Sequence, residues 1–352
     1  MSALRRVGRT IIATGGVSTP SIERLNNGDI LASYRRYFPG SGGPVFNSWN
    51  GEVVRSTDGG RTWSDPILRI GPKKPGDPEN YLPYYGMSQL ADGTILLPCM
   101  SVPRGIYMLR SHDNGETWSG PDPVGDNIPG LDWDTLAPYG KIRTLSDGTM
   151  ILPIVGRNRG EPYDSSCHLR STDSGKTWSE FVVLAQGLVF YNDAIELPDG
   201  RMMAMIHNGN SPTGHGMSPL LWAWSEDLGR TWSEPEIAPG PIYGGSPALF
   251  MTKNNNLVCG YRWTGDVDQG FLGVGISSYQ PEVGWSGTWQ GSPDLLWLSR
   301  GVRGPYPGRS FGGYPSFTYA DDEHILCAFY MSWMGGGDST TQDIEGVYLV
   351  EE

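Results

Sequence analysis

Apolar and polar residues alternate along the chain in short runs, each interrupted by an Asn-Gly or Asp-Gly pair: SIERLNNGDILASY, GMSQLADGTILLPC, KIRTLSDGTMILPI and DAIELPDGRMMAMI. Period-two alternation on both sides of a tight turn predicts two antiparallel strands joined as a hairpin. The turn glycines Gly28, Gly93, Gly148 and Gly200 recur at intervals of roughly 50–65 residues, so the hairpin belongs to a repeated unit.

A second pattern follows each of these hairpins: RSTDGGRTWS from Arg55, RSHDNGETWS from Arg110, RSTDSGKTWS from Arg170 and WSEDLGRTWS from Trp224. The shared Ser-x-Asp-x-Gly-x-Thr-Trp sets a carboxylate (Asp58, Asp113, Asp173, Asp227) where it accepts hydrogen bonds from the N–H groups of a turn. These aspartates read as turn chemistry rather than catalysis. Each unit is then two hairpins, or four strands. Weaker units follow, SPALFMTKNNNLVCGYRW with GVGISSYQPEVGWSGTW, then YPSFTYADDEHILCAFYM with EGVYLVEE. The last unit runs out of chain before its fourth strand, and VGRTIIATG near the N-terminus supplies one, because closing a ring removes two open sheet edges. The expected fold is all-β: a six-bladed β-propeller of four-stranded antiparallel blades, closed by an N-terminal strand, with residues 1–352 as a single domain.

Composition narrows the function classes. With 50 glycines, 28 prolines and 18% charged residues the chain suits many short strands and turns and disfavours long helices. A net charge of −12 argues against a nucleic acid or an anionic membrane as partner. No apolar run is long enough to span a bilayer, and MSALRRVGRTIIATGG lacks the apolar core of a signal peptide. The chain as written reads as cytoplasmic, or as secreted or periplasmic if a signal has been removed. Cys99, Cys167, Cys259 and Cys327 form no CxxC pair and no zinc-ligand spacing with the histidines, so free buried thiols, no metal and no cofactor are expected.

The fourfold Ser-x-Asp-x-Gly-x-Thr-Trp motif resembles the Asp-box, or bacterial neuraminidase, repeat of the sialidase superfamily, and the resemblance covers nearly the whole chain. It implies a substrate mouth on the face opposite the Asp boxes, built from the starts of first strands and the ends of second strands. It also implies three arginines on the substrate carboxylate, a Tyr nucleophile partnered by a Glu, and an Asp acid/base. Tyr314, in GGYPSF, matches the nucleophile. Elsewhere the pattern departs. Ser18-Thr19-Pro20 replaces the first Arg-Ile-Pro, Tyr191 stands in the Glu column, His207 stands where an arginine is expected, and RRYFPGSGGPVFNSWN holds no Asp. Strict sialidase activity is therefore disfavoured.

The first-strand entrances hold Thr19, Tyr84, Tyr139, Tyr191, Ser246 and Tyr314, and the second-strand ends hold Arg35, Met100, Gly156, His207, Arg262 and Tyr330. Tyrosines in one column either offer ring faces and hydroxyls to a sugar or plug the channel. Arg35, Arg36 and Arg262 suit a substrate anion or ordinary salt bridges, and His207, with His215 as competitor, suits proton transfer or a structural role. Loop carboxylates are available in Asp266 and Asp268, Glu161 and Asp164, Asp338 and Asp343, and Asp132 and Asp134, while Asp193 follows Tyr191 towards the axis. The expectation is an exo-acting, metal-independent glycoside hydrolase acting on a terminal sugar, neutral or acidic. Tyr314, His207, Tyr191 and Asp266 are its catalytic candidates, and Arg35, Arg36, Arg262, Tyr84, Tyr139, Asp193 and Tyr330 its substrate-binding candidates. Two alternatives stay open: a uronate polysaccharide lyase using His207, Tyr191, Tyr314 and Arg262, or a non-catalytic glycan-binding propeller. Oligomeric state is not legible in the sequence.

Overall fold

The computed structural model describes residues 4–37, 49–71, 81–83, 85–101, 105–125, 128, 132–187, 189–209, 218–240, 242–263, 273–282, 284–285, 312–332 and 342–352, and every regular element among them is a β-strand. The strands form six antiparallel sheets, the blades of a six-bladed propeller. The first blade runs Val17–Arg24, Ile30–Tyr37, Trp49–Ser56 and Leu68–Ile70. The fourth runs Val189–Glu196, Met202–Asn208, Leu221–Ser225 and Glu236–Ile237. In the sixth, Gly312–Tyr319, Ile325–Ser332 and Gln342–Glu351 are completed by Leu4–Ala13, which lies antiparallel to Gln342–Glu351 with Arg9 opposite Val347. The predicted ring closure is therefore present.

Alternation puts the apolar side chains of each blade against its neighbours. Ile22, Ile30, Ala32 and Val54 of the first blade pack with Leu326, Ala328 and Ile344 of the sixth, and Leu96 and Met108 of the second pack with Ile142, Leu152 and Leu169 of the third. Each Leu or Ile so buried contributes about 1.5–3 kcal/mol. All four cysteines are buried free thiols.

The Asp boxes hold their turns as the sequence indicates. Asp58 accepts from Ser56 Oγ at 2.8 Å, Thr62 N at 2.9 Å and Thr62 Oγ1 at 2.6 Å, and Asp113, Asp173 and Asp227 repeat the pattern. They also join blades, which local sequence does not reveal. Arg55 donates to Asn114 O at 2.8 Å, Arg110 to Gly175 O at 2.6 Å, and Arg170 to Leu228 O, so the first residue of each motif grips the next blade's box. Tyr348, in the same register position of the sixth blade, donates to Gly59 O at 3.0 Å and holds the first box. In the fourth blade the position is Trp224, whose successor blade has no Asp-box motif. There Trp224 packs against Trp222 and Tyr279 instead.

The first strands are laced around the axis by side chains that reach the neighbouring backbone. Ser316 Oγ accepts from Ile22 N at 3.0 Å, Ser21 Oγ from Met87 N at 3.1 Å, and Asp193 Oδ2 from Leu249 N at 2.7 Å. This lacing fixes the height at which the preceding residues enter the channel.

Candidate functional site

Just before the lacing residues, the first strands bulge. Thr19, Ser246 and Tyr314 take left-handed φ values of 56°, 53° and 56°, each immediately before a proline, at the register shifts of their hairpins. The conformation costs about 1–2 kcal/mol for a side chain with a Cβ. Because Thr and Ser adopt it as well as Tyr, it is architecture shared by three blades rather than strain particular to Tyr314.

The bulges aim aromatic rings at the axis. Tyr314 lies 5.7 Å from Tyr191 between ring centroids, and its hydroxyl donates to the Tyr191 oxygen at 3.4 Å. Tyr191 stacks on Tyr139 at 4.2 Å, Tyr139 meets Tyr85 at 4.6 Å, and Tyr330 meets Tyr314 at 5.6 Å. Tyr139 and Tyr85 are buried while Tyr191 and Tyr314 are half-buried, so of these four rings the latter two keep accessible surface. Tyr84 lies outside the described residues. Its neighbour Tyr85, past the end of the strand Tyr81–Pro83, supplies a ring from outside that column. Past the plug the channel keeps a void of about 20 Å³, room for about one water. At the far face it widens into a funnel of about 460 Å³ lined by Glu23, Lys141, Lys253 and Tyr319.

Around the top stand the second-strand ends. Arg35 is buried and donates to Thr19 Oγ1 at 3.1 Å. The His207 ring lies 6.0 Å from Tyr191 and 5.3 Å from Phe190. Burial, and then the Arg262 guanidinium, pull its pKa down to about 4, so His207 is neutral at pH 7 and acts as a proton acceptor or neutral donor rather than a cation. Arg262 lies opposite Gly245 in the fifth blade, and its side-chain carbons run along Gly313 of the sixth.

Two expected substrate-binding groups are taken up elsewhere. Asp193 is 2% exposed and forms an ion pair with Arg143, whose Nη2 lies 3.0 Å from Oδ2. It also accepts from Leu249 N and Lys141 N, so it braces the third, fourth and fifth blades on the far side of the tyrosines. Its column holds Ser21 and Ser316 in other blades, short acceptors in the same bracing role. Arg36 pairs with Glu52 at 2.7 Å and donates to Thr14 O and Gly15 O, an ordinary salt bridge with a loop clamp.

Of the loop carboxylates, Asp132 pairs with Arg159 at 2.7 Å and Asp343 accepts from Gly15 N at 2.9 Å. Glu161 is exposed and Asp164 half-buried, both in the segment after the third blade's second strand. Asp266, Asp268, Asp338 and His215 lie outside the described residues, as does the side chain of Asp134. The sequence columns thus bring together Tyr139, Tyr191, Tyr314, Tyr330, His207 and Arg262, with Arg35 on the rim.

The fold and this arrangement define an Asp-box propeller with its aromatic mouth opposite the boxes. In its repeat and its fold the chain is similar to the sialidase superfamily. Residues 102–262 match the BNR repeat-like domain model. A sialidase of Paraclostridium sordellii is 30% identical over 268 residues, covering 69% of this chain and 60% of the relative. The chain spans about half to three-fifths of the length of the curated relatives it matches most strongly. Among solved structures, a protein of unknown function from Dyadobacter fermentans superimposes with a TM-score of 0.75 at 20% identity, over 99% of this chain and 100% of the other. The α-L-arabinofuranosidase Arb93A of Fusarium graminearum superimposes with a TM-score of 0.67 at 17% identity, over 98% of each chain.

Proposed function

We propose that the protein is an exo-acting glycoside hydrolase that takes one terminal sugar into the mouth above Tyr191 and Tyr314. The observation that carries this reading is the pair of half-buried phenols packed on two buried ones, Tyr139 and Tyr85. In this reading the buried pair closes the channel, so a saccharide enters by its end and does not thread through. Phenol faces suit the apolar side of a sugar ring, and their hydroxyls suit its polar edge. The relatives that carry the name sialidase, and the arabinofuranosidase neighbour, support action on a terminal glycosidic bond. Sialic acid itself is disfavoured, because Ser18, Tyr191 and His207 stand where the resemblance implies two arginines and a glutamate.

In this reading Tyr314 meets the anomeric carbon and yields its proton towards the Tyr191 oxygen, with neutral His207 beside that pair as acceptor. Asp266 is assigned the protonation of the leaving oxygen, and Arg35, Arg262 and Tyr330 orient the sugar. A second reading has support of its own. A neutral imidazole next to a guanidinium suits removal of the α-proton of a uronate, with Tyr314 as proton donor, which is lyase chemistry.

Incubation with a panel of acidic and neutral oligosaccharides tests the proposal. Release of single terminal sugars without new ultraviolet absorbance is expected. Absorbance from an unsaturated uronate would assign the lyase instead, and binding without turnover would leave a glycan-binding propeller.

A further inference from the structure

His207 and Arg262 share a structural device. Each closes the second strand of its blade, and each lies against a glycine at the first-strand entrance of the next blade. A Cβ built on Gly245 would stand 2.6 Å from both Cε1 and Nε2 of His207 and 2.9 Å from Nδ1, all closer than real contacts allow. A Cβ on Gly313 would stand 2.8 Å from Cβ and Cγ of Arg262 and 3.1 Å from Cδ. The two glycines are equivalent: each directly precedes a left-handed residue, Ser246 or Tyr314, at a bulge. They differ in one respect. Gly313 has φ +134°, which a side chain would resist by itself, whereas Gly245 lies outside the left-handed region and tolerates alanine in its backbone.

We propose that Gly245 and Gly313 are positioning residues of the mouth: the space left by their missing side chains is where His207 and Arg262 lie, and this sets which groups face the bound sugar. The imidazole is a rigid plane on two torsions. A methyl on Gly245 displaces it as a unit from its present place beside Tyr191 and Phe190. Gly245 also sits opposite Arg262 in its own hairpin, so one position links both groups. The seating stands on geometry alone, and its bearing on turnover rests on the hydrolase reading above.

The test is a cycle of Gly245→Ala and His207→Ala, read first by thermal unfolding of the full chain. Gly245→Ala lowers the midpoint in the native background and loses that effect in the His207→Ala background, because the atoms it strikes are gone. Equal losses in both backgrounds would overturn the seating. On a substrate that the native protein turns over, Gly245→Ala lowers kcat as far as His207→Ala, and the double variant falls no further. A Gly245→Ala protein that keeps native kcat while its midpoint drops would overturn the positioning role. The unfolding cycle needs no substrate, so failure of the seating and failure of the hydrolase reading are told apart.

Discussion

The hydroxyl of Tyr314 donates to the phenol oxygen of Tyr191 at 3.4 Å, joining the sixth blade to the fourth across the mouth of the channel. Two blades distant in sequence thus share one proton-bearing pair. In the proposed reaction Tyr314→Phe removes the reacting oxygen but keeps the ring, so activity falls about 100-fold or more while the unfolding midpoint stays near that of the native protein. Steady-state kinetics alongside calorimetry checks both halves. Tyr191→Phe behaves similarly with a smaller loss, because it leaves Tyr314 its own hydroxyl.

Asp193 gives an outcome that separates a structural brace from a substrate ligand. Removing its carboxylate leaves the half-buried Arg143 without its anion and Leu249 N without its acceptor, a loss of up to about 3–5 kcal/mol. Asp193→Ala therefore unfolds at markedly lower urea, which denaturation curves measure. A raised KM with unchanged stability would instead make Asp193 a ligand of the sugar.

Arg170 is buried, gripping Leu228 O of the next Asp box and pairing with Glu180 at 3.0 Å. Arg170→Ala opens the seam between the third and fourth blades and costs about 1–3 kcal/mol, from the unsatisfied carbonyl and lost packing. Hydrogen exchange at the Asp227 turn should rise with it. The equivalent seam after the fourth blade rests on Trp224, and Trp224→Ala weakens it through lost aromatic packing.

Two histidines make stability depend on pH. His207 is pulled to about 4 by burial and then by Arg262. His168 is pulled to about 3 by burial, with nearby Arg170 and Arg143 adding to the effect and the Asn192 hydrogen bond opposing it. Both native pKa values lie below that of the unfolded chain, about 6.5. As pH falls below that value the unfolded state takes up protons that the native state refuses, so stability declines from about pH 6.5 towards 4. His207→Ala flattens part of that slope. The box aspartates act lower. Burial opposes ionisation at Asp58, Asp173 and Asp227, but hydrogen bonds from Thr62, Thr177 and Thr231 and the adjoining backbone outweigh it and hold them near 2. Their contribution is present above the ordinary carboxylate range and is lost as pH falls through about 2. Unfolding curves measured across this range check both windows.

The blades are legible because Asn-Gly or Asp-Gly hairpins and Asp boxes are local chemistry written four times over. Tyr139, Tyr191 and Tyr314 were legible as a column because each occupies the same place in its repeat. What a neighbouring blade does was not. Asp193 reads as an axial acid until Arg143, four strands back at the start of the preceding blade, is brought against it. Nothing in the motif shows that Arg55, Arg110 and Arg170, which open three of the boxes, each grip a carbonyl one blade away. Tyr85 lies one place outside that column, and only its packing on Tyr139 shows that its ring joins the cluster. Gly245 carries no side chain, so its part in seating His207 shows only in the distances.

The most direct measurement is a crystal structure of the Tyr314→Phe variant soaked with the oligosaccharide that the native protein cleaves best. The account predicts a terminal sugar ring over Tyr191, within reach of His207 and Arg262, with the rest of the chain leading out to solvent. A saccharide bound instead in the far funnel beside Lys141 and Tyr319, with the tyrosine cluster bare, would contradict it.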